Sequence, residues 1–134
     1  ILLIAVTSLA LRQIGVQQTQ ADLFAGLRGA PLSAFVAFLL VSSVIAPFVE
    51  EAYFRGYVFH ACLESKGRWK AYAVSAGLFA LAHANLPALL PYIAFGLVTA
   101  YVVERTRTIG PTVVAHAVNN GVVAIALYVA STAI

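Results

Sequence analysis

Between Leu32 and Leu63 the chain is almost continuously apolar, apart from Glu50, Glu51, Arg55 and His60. A helix needs only about 20 such residues to cross roughly 30 Å of hydrocarbon. The stretch therefore reads as one long or tilted membrane helix, with Pro47 as a kink. Composition agrees: of 134 residues, 62% are hydrophobic and 10% charged, and the mean hydropathy is +0.93. A soluble domain carries about 25% charged residues, so this chain has too little polar surface to coat a globule in water.

The rest of the sequence divides in the same way. "ILLIAVTSLAL" at the start is too short to span by itself and reads as the end of a truncated span. The polar stretch "RQIGVQQTQADLFAGLRGAP" reads as a loop with a short interfacial helix. Residues 32–63, 71–86, 91–103 and 109–133 are expected to be four complete spans. "ESKGRWK" (64–70) and "ERTRTIGP" would be basic loops, and "NLPALLP" a turn, with Trp69 and Tyr72 as interface anchors. The expected fold is all-α, a polytopic transmembrane helix bundle. No repeat or linker divides it, so residues 1–134 form a single membrane-embedded domain. The absence of Met and the start at Ile1 suggest a segment of a longer protein.

The net charge of +3 sits mostly in the short breaks between apolar runs. No basic stripe with interleaved aromatics and no phosphate-binding glycine loop is present, so nucleic acid is not an expected partner. The two basic loops are separated by two spans and fall on one side, which the positive-inside rule makes cytoplasmic. Arg12 and Arg28, offset only by Asp22, then lie on the far side and conflict mildly with that orientation. Cys62 is the only cysteine, which leaves neither a disulfide framework nor a thiolate zinc site.

An ionisable group inside a span costs roughly 2.5–3.5 kcal/mol, so each needs a partner or a purpose. The polar and ionisable residues inside the spans are Glu50, Glu51, Arg55, His83, His116, Asn119 and Asn120. Counted from the basic loops at about 1.5 Å per residue, they lie roughly 13–24 Å deep, close enough to converge. Glu51 and Arg55 are i,i+4, an ion-pair spacing. His116 and Asn120 repeat that step, as do Phe79 and His83. Glu50 lies about 100° around the helix from Glu51, so the two carboxylates cannot do the same job.

Taken singly, each residue has an ordinary structural explanation. Glu51 with Arg55 would be a packing salt bridge, each histidine or Asn119 an interhelical hydrogen bond, Phe79 core, His60 a wetted interface residue and Cys62 inert. Three spans each supplying a polar i,i+4 pattern at similar depth are harder to explain by packing. The chemistry such a set suits is water activation. A carboxylate in low dielectric is a stronger base. A histidine can hold the same water or ligate a metal, and a second histidine with an amide can meet an oxyanion. HExxH and GxSxG are both absent, which excludes a standard zincin helix and leaves a serine nucleophile unsupported.

"EEAYFRG" resembles the EExxxR motif of the CPBP intramembrane proteases, the group of type II CAAX prenyl endopeptidases and bacteriocin-processing enzymes. "FALAH" resembles their FxxxH motif and "HAVNN" their HxxxN motif. "FGLVTAYVVERTRTIGPTVVAH" is similar to the segment that leads into the last. The resemblance runs in family order over residues 32–123. It implies an intramembrane endopeptidase acting on a membrane-associated protein or peptide, including prenylated CAAX-type substrates. Glu50 would activate water with His83, while His116 and Asn120 would stabilise the oxyanion. Glu51 and Arg55 would support them, and Phe79 would line the site. Two chemistries stay open: no cofactor, or a divalent metal such as zinc held by Glu50, His83 and His116. The expected location is the bacterial cytoplasmic membrane. The rival reading is a non-catalytic transporter or scaffold that uses the same charges for packing or proton relay.

Overall fold

The computed structural model describes residues 30–132, and among these it contains helices and no strand. The expected truncated span, the polar loop with its interfacial helix and the residues Arg12, Asp22 and Arg28 lie outside the described residues. Four main helices occur in order: α1 (Leu32–Lys66), α2 (Arg68–Ala82), α3 (Leu89–Thr106) and α4 (Gly110–Thr132).

The apolar exposure pattern is that of a protein whose solvent is lipid. Leu32, Val36, Leu40, Val44 and Phe48 recur every fourth residue along α1, and all are exposed. Val114, Val118, Val122, Ile125 and Val129 make a comparable exposed stripe on α4. Such stripes would be expelled from water, but they match a hydrocarbon surround. α1, α4 and the unit Leu86–Thr106 that contains α3 are each long and apolar enough to cross a membrane. The chain is an all-α integral membrane protein.

The second expected span differs. Residues 71–86 were to cross, but α2 stops at Ala82 after 15 residues, about 22 Å of helix. Ala84 then adopts a positive φ of 46°. Asn85 Oδ1 accepts the Ala88 N–H, opening a short 3₁₀ turn at Leu86–Ala88. The expected loop at 64–70 also shrinks, to the single residue Gly67 at φ 83°. Only glycine holds that conformation without strain, so α1 and α2 pack as a tight hairpin.

Pro47 acts through register. Two π-helical stretches, Val41–Ile45 and Ala52–Phe59, flank the α-helical segment Ala46–Glu51. At the end of the first, the Ala46 N–H reaches back to the Val41 carbonyl. The next rung would run from residue 47 to Ser42, but proline has no N–H to give. Wide π turns leave carbonyls for side chains to satisfy. Ser75 Oγ donates to the Phe54 carbonyl at 2.9 Å, and His60 Nδ1–H to those of Arg55 and Gly56 at 2.8 and 3.0 Å.

Packing between helices relies on small residues, as expected where lipid removes most of the hydrophobic drive between helices. Gly96 of α3 lies against Ala76 of α2 so closely that a Cβ there would sit 2.9 Å from Ala76 Cα. At the other end of this pair, Glu104 accepts hydrogen bonds from Arg68 at 2.9 Å and from Tyr72 at 2.8 Å. These contacts bring the two basic loops to one end of the bundle.

Candidate active site

The segment Ala46–Glu51 presents its two glutamates to different surroundings. Glu51 Oε1 accepts from Arg55 Nη1 at 3.0 Å and from His116 Nδ1–H at 3.1 Å. All three side chains are buried, at 0%, 0% and 3% exposure. The Arg55 guanidinium lies over the Phe79 ring, 4.1 Å from its centroid, a close cation–π contact. Glu51 and Arg55 are thus the neutralised pair that their spacing announced.

Glu50 faces the other way. Its Oε2 lies 3.7 Å from His83 Nε2 and 3.9 Å from His116 Nε2. Both separations exceed a direct hydrogen bond, yet one water would reach across either. Glu50 Oε2 is buried and has no hydrogen-bond partner among the described residues, as is true of Glu51 Oε2, Arg55 Nε and Arg55 Nη2. One arginine is set against two carboxylates, and it contacts Glu51. Glu50 is therefore the carboxylate that the arginine leaves to the histidines, its side chain 28% exposed beside His83 at 22%.

Each histidine tautomer is set by what its second nitrogen touches. His83 Nδ1 lies 2.8 Å from the Phe79 carbonyl, which can only accept, so Nδ1 carries the proton. In the neutral ring Nε2 is then the acceptor, and it is directed at Glu50. His116 Nδ1 likewise donates to the Glu51 carboxylate, so its Nε2 is the nitrogen turned towards Glu50. Phe79, buried at 1% exposure, links the two rings at centroid distances of 4.7 Å to His83 and 5.7 Å to His116.

Asn120 stands one helical turn beyond His116 and binds elsewhere. Its Nδ2 donates at 2.9 Å to the Ser42 carbonyl, the group left without a partner by Pro47. Its Oδ1 accepts from Asn119 at 3.3 Å. An amide nitrogen carries two hydrogens, so one N–H remains beyond the Ser42 bond. The structure therefore brings Glu50, Glu51, Arg55, Phe79, His83 and His116 together, and puts Asn120 beside them as a tie between α4 and α1.

The placement of these donors bears on whether they fit a metal. Glu50 pairs with each histidine, but no group of three His, Cys, Asp or Glu side chains among the described residues is gathered tightly enough to hold an ion. As they stand, Glu50, His83 and His116 are not a ready three-ligand site.

Two aromatics of α3 complete the surroundings and were not singled out from sequence. Tyr92 stacks on His83 at 4.0 Å with planes 29° apart, and Phe95 meets His116 edge-on at 5.0 Å. In an apolar run "PYIAFG" they read as ordinary packing. The available signal was the turn after His83, which folds α3 back along α2.

Residues 32–122 match the family described as Type II CAAX prenyl endopeptidase Rce1-like. The chain belongs to this family. The Rce1-like match starts with α1 and includes every residue of the site, within one residue of the 32–123 expected from motifs. A protein of Bacillus subtilis (strain 168) named "Putative membrane peptidase YdiL" is 34% identical over 94 residues, which is 70% of this chain. The chain spans 38% of that relative's length. No solved structure matches the chain.

Proposed function

We propose that this Rce1-like chain is the catalytic core of an intramembrane endopeptidase that hydrolyses peptide bonds with water activated by Glu50 and His83. The observation that carries the reading is the approach of Glu50 Oε2 to Nε2 of His83 at 3.7 Å, with Arg55 paired to the neighbouring Glu51 instead.

A water held between the two acceptors donates one hydrogen to each. Glu50 takes a proton as the water oxygen bonds to the scissile carbonyl carbon, and the carbonyl oxygen becomes an oxyanion. His116 keeps its Nδ1–H on Glu51, and its Nε2, when it carries a proton, donates to that oxyanion together with the free N–H of Asn120. Glu50 then returns its proton to the leaving nitrogen as the carbon–nitrogen bond breaks. The Phe79 carbonyl keeps His83 in the accepting tautomer throughout. The family name and the apolar, lipid-facing walls favour a membrane-associated protein or peptide as substrate, with a prenylated CAAX-type segment as one form. The Bacillus relative favours the bacterial cytoplasmic membrane as the location.

The test is cleavage of a lipidated or hydrophobic peptide by the full-length protein in liposomes. Wild type, Glu50→Gln and His83→Ala are compared with and without chelator. Both variants should lose activity, and chelator should leave wild type unchanged. Equal product from wild type and Glu50→Gln would sink the mechanism, as would wild-type activity that disappears with chelator and returns with Zn²⁺.

A further inference from the structure

His83 is placed awkwardly for a group that must aim one nitrogen at Glu50. It is the cap residue of α2, with φ −77° and ψ −10°, and the chain turns away immediately after it. A side chain inside a helix is braced from both directions by neighbours three and four residues away. His83 has such a neighbour only behind it, in Phe79, which supplies the hydrogen bond to Nδ1 and a tilted ring contact at 4.7 Å. That bond sets the tautomer only while the ring keeps its rotamer, and nothing on α2 beyond His83 stops the ring swinging off it. A second brace must come from another element.

We infer that Tyr92 is this brace, a positioning residue that holds the His83 ring with Nε2 directed at Glu50. The inference rests on the water-activation reading above. Tyr92 lies in the first turn of α3, just after the buried Pro91, and its ring covers a face of the imidazole at 4.0 Å and 29°. It also meets Phe79 edge-on at 6.1 Å, so the three rings form one cluster. The turn that delivers Tyr92 is itself fixed, by Ala84 at positive φ and by the Asn85 cap on Ala88. The early end of α2 and the stacking of Tyr92 are thus one arrangement. The helix stops where the histidine is needed, and the returning helix supports it.

The experiment uses full-length protein in detergent micelles with ¹⁵N-labelled histidine, the His83 signal being identified by its loss in His83→Gln. The nitrogen shifts report the tautomer whether or not the protein cleaves anything. Wild type and Tyr92→Phe should show His83 protonated at Nδ1 alone. Tyr92→Leu should show a mixture of tautomers, with kcat down about tenfold and KM unchanged, in line with loss of an aromatic pair. Tyr92→Met, which keeps bulk without an aromatic face, is the second variant if Tyr92→Leu does not fold. A single unchanged tautomer in the folded non-aromatic variant overturns the inference. A tautomer mixture in a protein that cleaves no peptide in any form upholds the bracing role and refutes the peptidase reading.

Discussion

The bond between Asn120 and Ser42 can be tested by removing either of its two causes. Asn120→Ala takes away the donor and leaves the Ser42 carbonyl, already without a backbone partner because of Pro47, with nothing to accept from. A half-buried carbonyl stripped of its partner costs about 1–3 kcal/mol, while interhelical hydrogen bonds in membranes average about 0.6 and reach about 1.7. The expected loss is about 1 kcal/mol. Pro47→Ala restores an N–H at the position where the backbone ladder lacks one, so the carbonyl no longer depends on α4. In that background Asn120→Ala should cost close to nothing, which gives a coupling of about 1 kcal/mol between residues 73 positions apart in the chain. Asn120→Asp should be worse than Asn120→Ala, because it puts an acceptor against an acceptor. Reversible unfolding in bicelles, measured for the four members of the cycle, reads all of this directly. Additive effects of Pro47→Ala and Asn120→Ala would refute the argument that proline creates the vacancy that asparagine fills.

Three further outcomes are expected from the same geometry. Gly96→Leu must push α3 away from Ala76, where even a Cβ would lie at 2.9 Å; overpacking of this kind costs about 1–3 kcal/mol, read as a lowered Tm. Arg55→Met leaves Glu51 buried and uncompensated, and loss of one partner of a buried pair costs about 3–5 kcal/mol; adding Glu51→Gln should recover much of the stability in an unfolding assay. Glu50→Gln should leave the unfolding curve unchanged, since Glu50 Oε2 bonds to no described residue, while cleavage falls about 10²–10⁴-fold as for loss of a general base. Substantial destabilisation by Glu50→Gln would mean that this carboxylate serves packing instead.

Much of the site could be read in advance because its strongest contacts are local. Glu51 with Arg55, and Phe79 with His83, lie one turn apart, and helical geometry alone brings such pairs together. The early end of α2 was not legible. "FALAHANLPALLP" stays apolar past His83, and hydropathy cannot say where an apolar helix yields to a turn capped by Asn85. Tyr92 was missed for a related reason. An aromatic in a span looks like lipid contact or core until the returning helix is placed against its neighbour.

The solvent and the local pairing were determined by the sequence itself: a composition that only lipid can surround, and charges at i,i+4 that neutralise each other wherever the helix lies. Tertiary structure decided which carboxylate stays free. Glu50 and Glu51 are adjacent, and every π turn that admits an extra residue rotates the downstream side chains by about 100°, so helical phase read from sequence drifts across "VSSVIAPFVEEAYFRG". The docking of α4 against the proline-broken rung, and of α3 against the end of α2, sets that phase. It brings both Nε2 atoms to Glu50, because interhelical contacts depend on register and helix length, which no local spacing encodes.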